Sequence, residues 1–155
     1  MAMRNDAVIY VAGHAGLIGS AVVRRLERDG YRGLVTRGRN QLDLQDGGRV
    51  ADFFDEVHPD YVVLAAGRVG GIIENQTFPA DFMDESIAIK LNVLRAARKA
   101  GVRKLIFFGS SCMYPRECPQ PMAEDALLSG KPEPTSLPHA IPKLAGTSMC
   151  LAYNK

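Results

Sequence analysis

The sequence has little of what marks a membrane-bound, nucleic-acid-binding or disulfide-held protein. Its net charge is only +2 over 155 residues, too small to argue for a polyanionic partner or a membrane surface. No apolar run approaches the ~18 residues that a membrane span needs, and no signal peptide precedes the first strand. Cysteine is scarce: Cys112, Cys118 and Cys150 are odd in number and lack the pair spacing of metal or redox sites. Neither an internal repeat nor a low-complexity segment is present. What remains is an ordinary globular composition, 46% hydrophobic and 23% charged, in a length that suits one domain with a single core. The expectation is a cytoplasmic protein with reduced thiols and no metal.

Strand signals alternate with helix signals, which argues for an α/β fold, a parallel sheet covered by helices. "AVIYVAG" (7–13) is a nearly continuous apolar run, as in a central parallel strand. A helix follows, with Leu17, Ile18, Ala21, Val22 and Leu26 as its buried face and Gly30 as its stop. "GLVTR" (33–37) reads as a second strand. Asp46 then caps a helix that buries Val50, Phe53, Phe54 and Val57, and "YVVLAAG" (61–67) is a third strand. Gly70-Gly71 opens a loop, Pro79 starts a long helix ending at Ala100 with Gly101 as its cap, and "KLIFFGSS" (104–111) is a fourth strand. Residues 112 to 137 are proline-rich and aperiodic, and a loop of that length is usually functional. A last helix begins near Pro138.

"GHAGLIG" sets Gly13, Gly16 and Gly19 between a strand and a helix. The first glycine permits a tight turn, the second lets a pyrophosphate approach the backbone, and the third lets helix and strand pack closely. The phosphate then meets the free N–H groups and dipole of the helix N-terminus. His14, inside this loop, is read as capping backbone or facing solvent. The end of the second strand distinguishes the two nicotinamide dinucleotides. An acid there would bind a ribose 2′-hydroxyl, whereas arginine would meet a 2′-phosphate. The stretch "TRGRN" has Arg37 and Arg39, with no acid before Asp43. That favours NADP, two solvated surface arginines being the alternative. Asp43 and the Leu44 backbone are placed to receive the adenine edge.

These stretches, with "LAAGRVGGI", "NQTFPADF", "GSSCMYP" and "QPMAEDALLSGKPEPT", resemble the extended short-chain dehydrogenase/reductase superfamily. More narrowly, they are similar to the GDP-L-fucose synthase family of NADPH-dependent 3,5-epimerase/4-reductases acting on GDP-4-keto-6-deoxy-mannose. The resemblance implies a Rossmann-type doubly wound sheet. It also implies NADP contacts at Gly13, Gly16, Leu17, Ile18, Gly19, Arg37, Arg39, Asp43, Leu44, Ala65 and Ala66. Ser110 would hydrogen-bond the sugar 4-keto oxygen, and Lys143 would hold the nicotinamide ribose and tune the neighbouring acid. Cys112 would be one acid/base group of epimerisation; from the residues alone it reads instead as a small buried hydrophobe at a strand end. Residues 1–155 would form the dinucleotide-binding domain, incomplete, with the family's substrate domain outside this chain. The long helix and the final helix would pair with a second copy as a homodimer.

One position departs from the pattern. Where the family's Tyr-x-x-x-Lys motif has its tyrosine, this chain has "PHAIPK", with His139 four residues before Lys143. Spacing of i, i+4 keeps both on one helix face. Histidine is a legitimate general acid with an unperturbed pKa near ~6.5, but it is shorter than tyrosine. Pro142 sits between them at the edge of what a helix start tolerates. The segment is either a reductase motif with an altered acid or a helix carrying a surface histidine without a role. Two further readings stay open for the chain: a non-catalytic NADP-binding module, and another NAD-dependent nucleotide-sugar epimerase/dehydratase.

Overall fold

β1 (Ile9–Ala12) explains the architecture, because its side chains alternate between two covered faces. Ile9 and Val11 join Ala7 and Val63 in a buried cluster against Val22, Val23 and Leu26 of α1 (Leu17–Arg28). Tyr10 points the other way, to α2 (Gly47–Val57), where its ring lies 4.7 Å from Phe53 and 5.9 Å from Phe54. Such aromatic pairs contribute ~0.5–1.5 kcal/mol beyond the area they bury. Asp46 caps α2 as expected, its carboxylate accepting from the Arg49 N–H at 3.1 Å. The computed structural model describes residues 3–155.

β2 (Leu34–Val35), β3 (Tyr61–Leu64) and β4 (Lys104–Phe107) complete a parallel four-stranded sheet in the order β2-β1-β3-β4. Ile9 pairs with Leu34 on one side and Tyr61 on the other, and Tyr61 with Lys104. The chain leaves β1 toward β2, then crosses back to β3 on the other flank. That reversal opens a crevice at the carboxyl ends of β1 and β3, where open α/β sheets bind their ligands. This is the parallel sheet that the alternation anticipated, in the Rossmann-type arrangement that the resemblance implies.

The chain forms two compact units. One takes the chain through Gly67 together with Ala88–Phe108, and contains the sheet; the other comprises Arg68–Ile87 and Gly109–Lys155. α4 (Pro79–Lys99) is the long helix expected after Gly70-Gly71, with Gly101 beyond its end at φ +67. In the second unit α3 (Ile72–Thr77) follows the glycine pair directly. Its Asn75 is buried and donates to the carbonyls of Gly70 (3.3 Å) and Gly71 (3.0 Å). Arg68 lies 5.0 Å over the Phe82 ring and pairs with Glu74 and Glu85. The proline-rich stretch holds three 3-10 turns and is closed on itself by the Pro115–Pro132 bridge and an Arg116 N–H donated to Lys131 O. α5 (Leu137–Tyr153) ends the chain. Among the described residues no helix is long and apolar enough to cross a membrane.

Three expectations are corrected. Leu17, Ile18 and Ala21 are exposed, Leu17 by 89%, and α1 packs through Val22, Val23 and Leu26 instead. The second strand is only two residues long, and Val57 is half-buried where full burial was expected.

Tyr10 yields a first prediction. Burial pushes its hydroxyl up to about 12, the Arg37 charge acting the other way. The folded state therefore keeps this proton to higher pH than the unfolded chain, whose tyrosine titrates near ~10. Stability from this group is intact below pH ~10 and falls as pH rises through about 12, by ~2–3 kcal/mol in all. Tyr10→Phe is expected to remove that alkaline decline, as read from denaturant midpoints across the range.

Candidate active site

The glycine loop lies in the first unit and is built by exclusion. Gly13 has φ +84, and a Cβ there would stand 2.7 Å from the backbone of Ala65 and Ala66. A Cβ on Gly19 would stand 2.1 Å from the Gly13 carbonyl oxygen. Only glycine satisfies either position without moving backbone. Gly16 differs: a Cβ there meets one atom, Gly13 O at an ordinary 3.5 Å, and otherwise points into open space. Gly16 is also the N-cap of α1, and no side chain caps that helix. The first-turn N–H groups, at the exposed Leu17 and Ile18 and at Gly19, are thus presented to an anion. The cradle fits a dinucleotide pyrophosphate. His14 is half-buried, and its Nδ1 is buried without a hydrogen-bond partner in the protein. Its Nδ1 therefore caps no backbone group.

Past β2, Arg37 donates to the Thr36 carbonyl (2.8 Å) and holds its guanidinium 5.5 Å over the Phe53 ring. Arg39 and Asp43 form an exposed pair at 3.9 Å. Asp43 also accepts from the Gln45 N–H at 3.0 Å. Leu44 is buried, and its carbonyl accepts from the Asn92 amide of α4 at 3.0 Å. Asn92, which the sequence reading passed over, donates to Gln45 O as well (2.9 Å) and so fixes the loop that carries Asp43 and Leu44.

The second unit gathers the residues expected to do chemistry. Ser110 caps the 3-10 turn Ser111–Met113, and its Oγ accepts from the Cys112 N–H at 3.3 Å. With one lone pair occupied, the hydroxyl proton remains to be donated elsewhere. α5 packs against this turn and carries His139 and Lys143 one turn apart. Burial lowers the Lys143 pKa, while the charge of a Cys112 thiolate acts to raise it. Lys143 and Cys112 are therefore neighbours in electrostatic reach. Pro142 lies inside α5 and is fully buried, and the helix runs through it. It removes the N–H that would bond Pro138 O, beyond the first turn in which proline is free of cost. Cys118 and Cys150 are free thiols, half-buried, with burial raising the Cys150 pKa.

A third feature was missed. Lys90, in the first unit, is 4% exposed. Its signal in the sequence is a lysine on the buried stripe of α4 formed by Phe82, Ser86, Val93 and Ala97, where helical periodicity expects an apolar side chain.

The profile of the NAD dependent epimerase/dehydratase family matches residues 9–155. The chain belongs to that family. Similarity to the GDP-L-fucose synthases, read from the motifs, also holds: GDP-L-fucose synthase 1 of Arabidopsis thaliana is 49% identical over 148 residues, which are 96% of this chain and 46% of that protein. The chain thus spans about half the length of the curated relatives it matches. Among solved structures, a GDP-mannoheptose C4 reductase from Campylobacter jejuni with NADP bound superposes with a TM-score of 0.95 at 38% identity, covering 99% of this chain and 48% of the other. A GDP-L-fucose synthetase from Naegleria fowleri bound to NADP gives 0.90 at 28% identity, over 99% and 50%.

Proposed function

We propose that this chain is the NADP-binding part of a GDP-sugar epimerase/reductase of the GDP-L-fucose synthase type. Its substrate would be GDP-4-keto-6-deoxy-mannose, the keto-sugar of that family. The observation that carries the reading is the Ser110–Cys112–Lys143 cluster in a chain so similar to fucose synthases. Gly13, Gly16, Leu17, Ile18 and Gly19 would hold the pyrophosphate, with Ala65 and Ala66 beside them; Arg37 and Arg39 would hold the 2′-phosphate, and Asp43 and Leu44 the adenine edge. The bound cofactor supplies the hydride for the sugar C4. Ser110 donates its hydroxyl hydrogen to the keto oxygen, polarising the carbonyl before reduction. Cys112 exchanges protons at carbons made acidic by that ketone, and Lys143 holds the nicotinamide ribose. His139 stands where the family's acid protonates the reduced oxygen.

Magnitudes support the 2′-phosphate reading. To bind a phosphate, Arg37 gives up a cation–π contact worth ~0.5–1 kcal/mol at an exposed site. Arg39 gives up an exposed ion pair worth ~0–1 kcal/mol. Charge-assisted hydrogen bonds to phosphate contribute about 1.5–3 kcal/mol each. Phosphate wins. NADPH is expected to bind more tightly than NADH, and Arg39→Ala to weaken NADPH by about tenfold or more while sparing NADH. Calorimetric titration of both cofactors tests it; equal affinities, or no change in the variant, would reject NADP as the cofactor.

A second reading is a non-catalytic cofactor-binding module, favoured by His139 alone. NADPH binding without turnover, in a chain carrying a relative's C-terminal half, selects it. The proposed homodimer would form through α4 and α5. Leu94 and Leu144 are buried, which leaves Ile87, Ile141 and Leu151 as exposed apolar positions on α4 and α5.

A further inference from the structure

Lys90 has no part in the chemistry above, yet a buried ammonium is costly to keep. Taking such an ion out of water carries a penalty of several kcal/mol even after relaxation. Lys90 is engaged by groups around it and is not free. Its position is specific: Nζ lies 3.6 Å from where a Cβ on Gly67 would stand. Gly67 is exposed and follows Ala65 and Ala66, the residues against which Gly13 packs. A charge hidden under the helix thus reaches the rim of the crevice at the carboxyl end of β3.

The sheet order says which half of a dinucleotide would lie nearest. The glycine loop places the pyrophosphate at the end of β1, and the arginines after β2 place the adenosine on that flank. In the order β2-β1-β3-β4 the nicotinamide half must extend over β3, the side of Lys90. The nicotinamide ring bears a positive charge when oxidised and none when reduced. A cation on that side acts on the phosphates of both forms alike and disfavours only the oxidised ring, so it favours NADPH over NADP+.

We propose that Lys90 is a specificity-determining residue that makes this site prefer the reduced over the oxidised cofactor; the inference rests on the NADP reading above. Unit charges as far as about 12 Å apart, at an effective dielectric of about 20, still repel by about tenfold in affinity. Product NADP+ would accordingly leave more readily than NADPH.

The experiment measures dissociation constants for NADPH by fluorescence and for NADP+ by competition, in the parent chain and in Lys90→Gln, Lys90→Met and Lys90→Arg. The parent is expected to hold NADPH about tenfold more tightly than NADP+. The two neutral variants should bring that ratio toward unity by tightening NADP+, and Lys90→Arg should keep it. A purely structural lysine would weaken both cofactors together and leave the ratio alone; an unchanged ratio in a neutral variant that melts cooperatively overturns the proposal. Should both neutral variants fail to fold, the parent ratio decides, and a value near unity overturns it. A parent chain that binds neither cofactor fails the NADP reading itself, and this inference falls with it.

Discussion

Gly16→Ala is expected to melt within about a degree or two of the parent chain and to lose NADPH affinity by about a hundredfold or more. The two effects separate because a Cβ at Gly16 meets only one protein atom, at an ordinary 3.5 Å, and projects into the space before α1. The folded chain does not feel it. A pyrophosphate does, since it must come against that backbone to reach the first-turn N–H groups. Losing even two charge-assisted hydrogen bonds of ~1.5–3 kcal/mol each accounts for the affinity change. Gly19→Ala should act the other way round. Its Cβ would stand 2.1 Å from the Gly13 carbonyl, so the loop must move and the fold itself loses ~1–3 kcal/mol or more. Gly30→Ala provides the control. Gly30 also has positive φ, +84, but nothing lies within 4 Å of its Cβ position, so strain of ~1–2 kcal/mol with unchanged cofactor affinity is expected. Thermal melts and NADPH titrations of the three variants test the assignment. An unaltered affinity in Gly16→Ala would mean that no phosphate approaches this loop.

The same loop shows where reading the sequence worked and where it failed. The tight turn, the helix start and Asp46 as a cap were legible because each is a local rule written in one or two residues. Leu17 and Ile18 were assigned twice, to a buried helix face and to a cofactor site, and periodicity cannot choose between those. An apolar residue at the right phase looks the same whether it faces a core or open space at the helix start. α3 was invisible for a different reason: six residues are under two turns, too few for any period to register. Lys90 and Asn92 were passed over because a polar residue in a long helix is ordinarily solvated, and only the packing of α4 shows that these two are engaged. The Ser110–Cys112 turn and the His139–Lys143 helix were legible as motifs, but not the geometry that follows from them. That the Ser110 oxygen is already accepting from Cys112, leaving its hydrogen to give, is a fact of three-dimensional structure.

Tyrosine in place of His139 is expected to raise reduction of the keto-sugar by at least about tenfold, in a chain joined to the C-terminal half of a relative so that substrate can bind. Positioned general acids typically contribute ~10²–10⁴-fold, so the missing group should cost turnover and leave NADPH affinity nearly unchanged. Distance is one cause, since imidazole is shorter than phenol and α5 fixes its root one turn before Lys143. Charge is the other. A lysine beside a phenol favours phenolate and brings that acid toward neutral pH, but beside an imidazole it drives the proton off. Burial lowers the Lys143 pKa, which softens that push without reversing its sign. The pH profile then distinguishes a working histidine from a bystander. If His139 is the acid, reduction by the parent should fall as rising pH removes the imidazolium proton, and His139→Tyr should carry activity to higher pH. Pro142→Ala, restoring the bond to Pro138 O, should add to the gain by relaxing the first turns of α5. On the proposed assignment epimerisation would depend on Cys112 and on a second acid/base group in the joined half, so exchange of the C3 and C5 protons should hold within about twofold across these variants. A flat reduction rate with tyrosine restored, together with no change in the pH profile, would mean that the proton reaches the 4-oxygen by another route and that position 139 is not its donor.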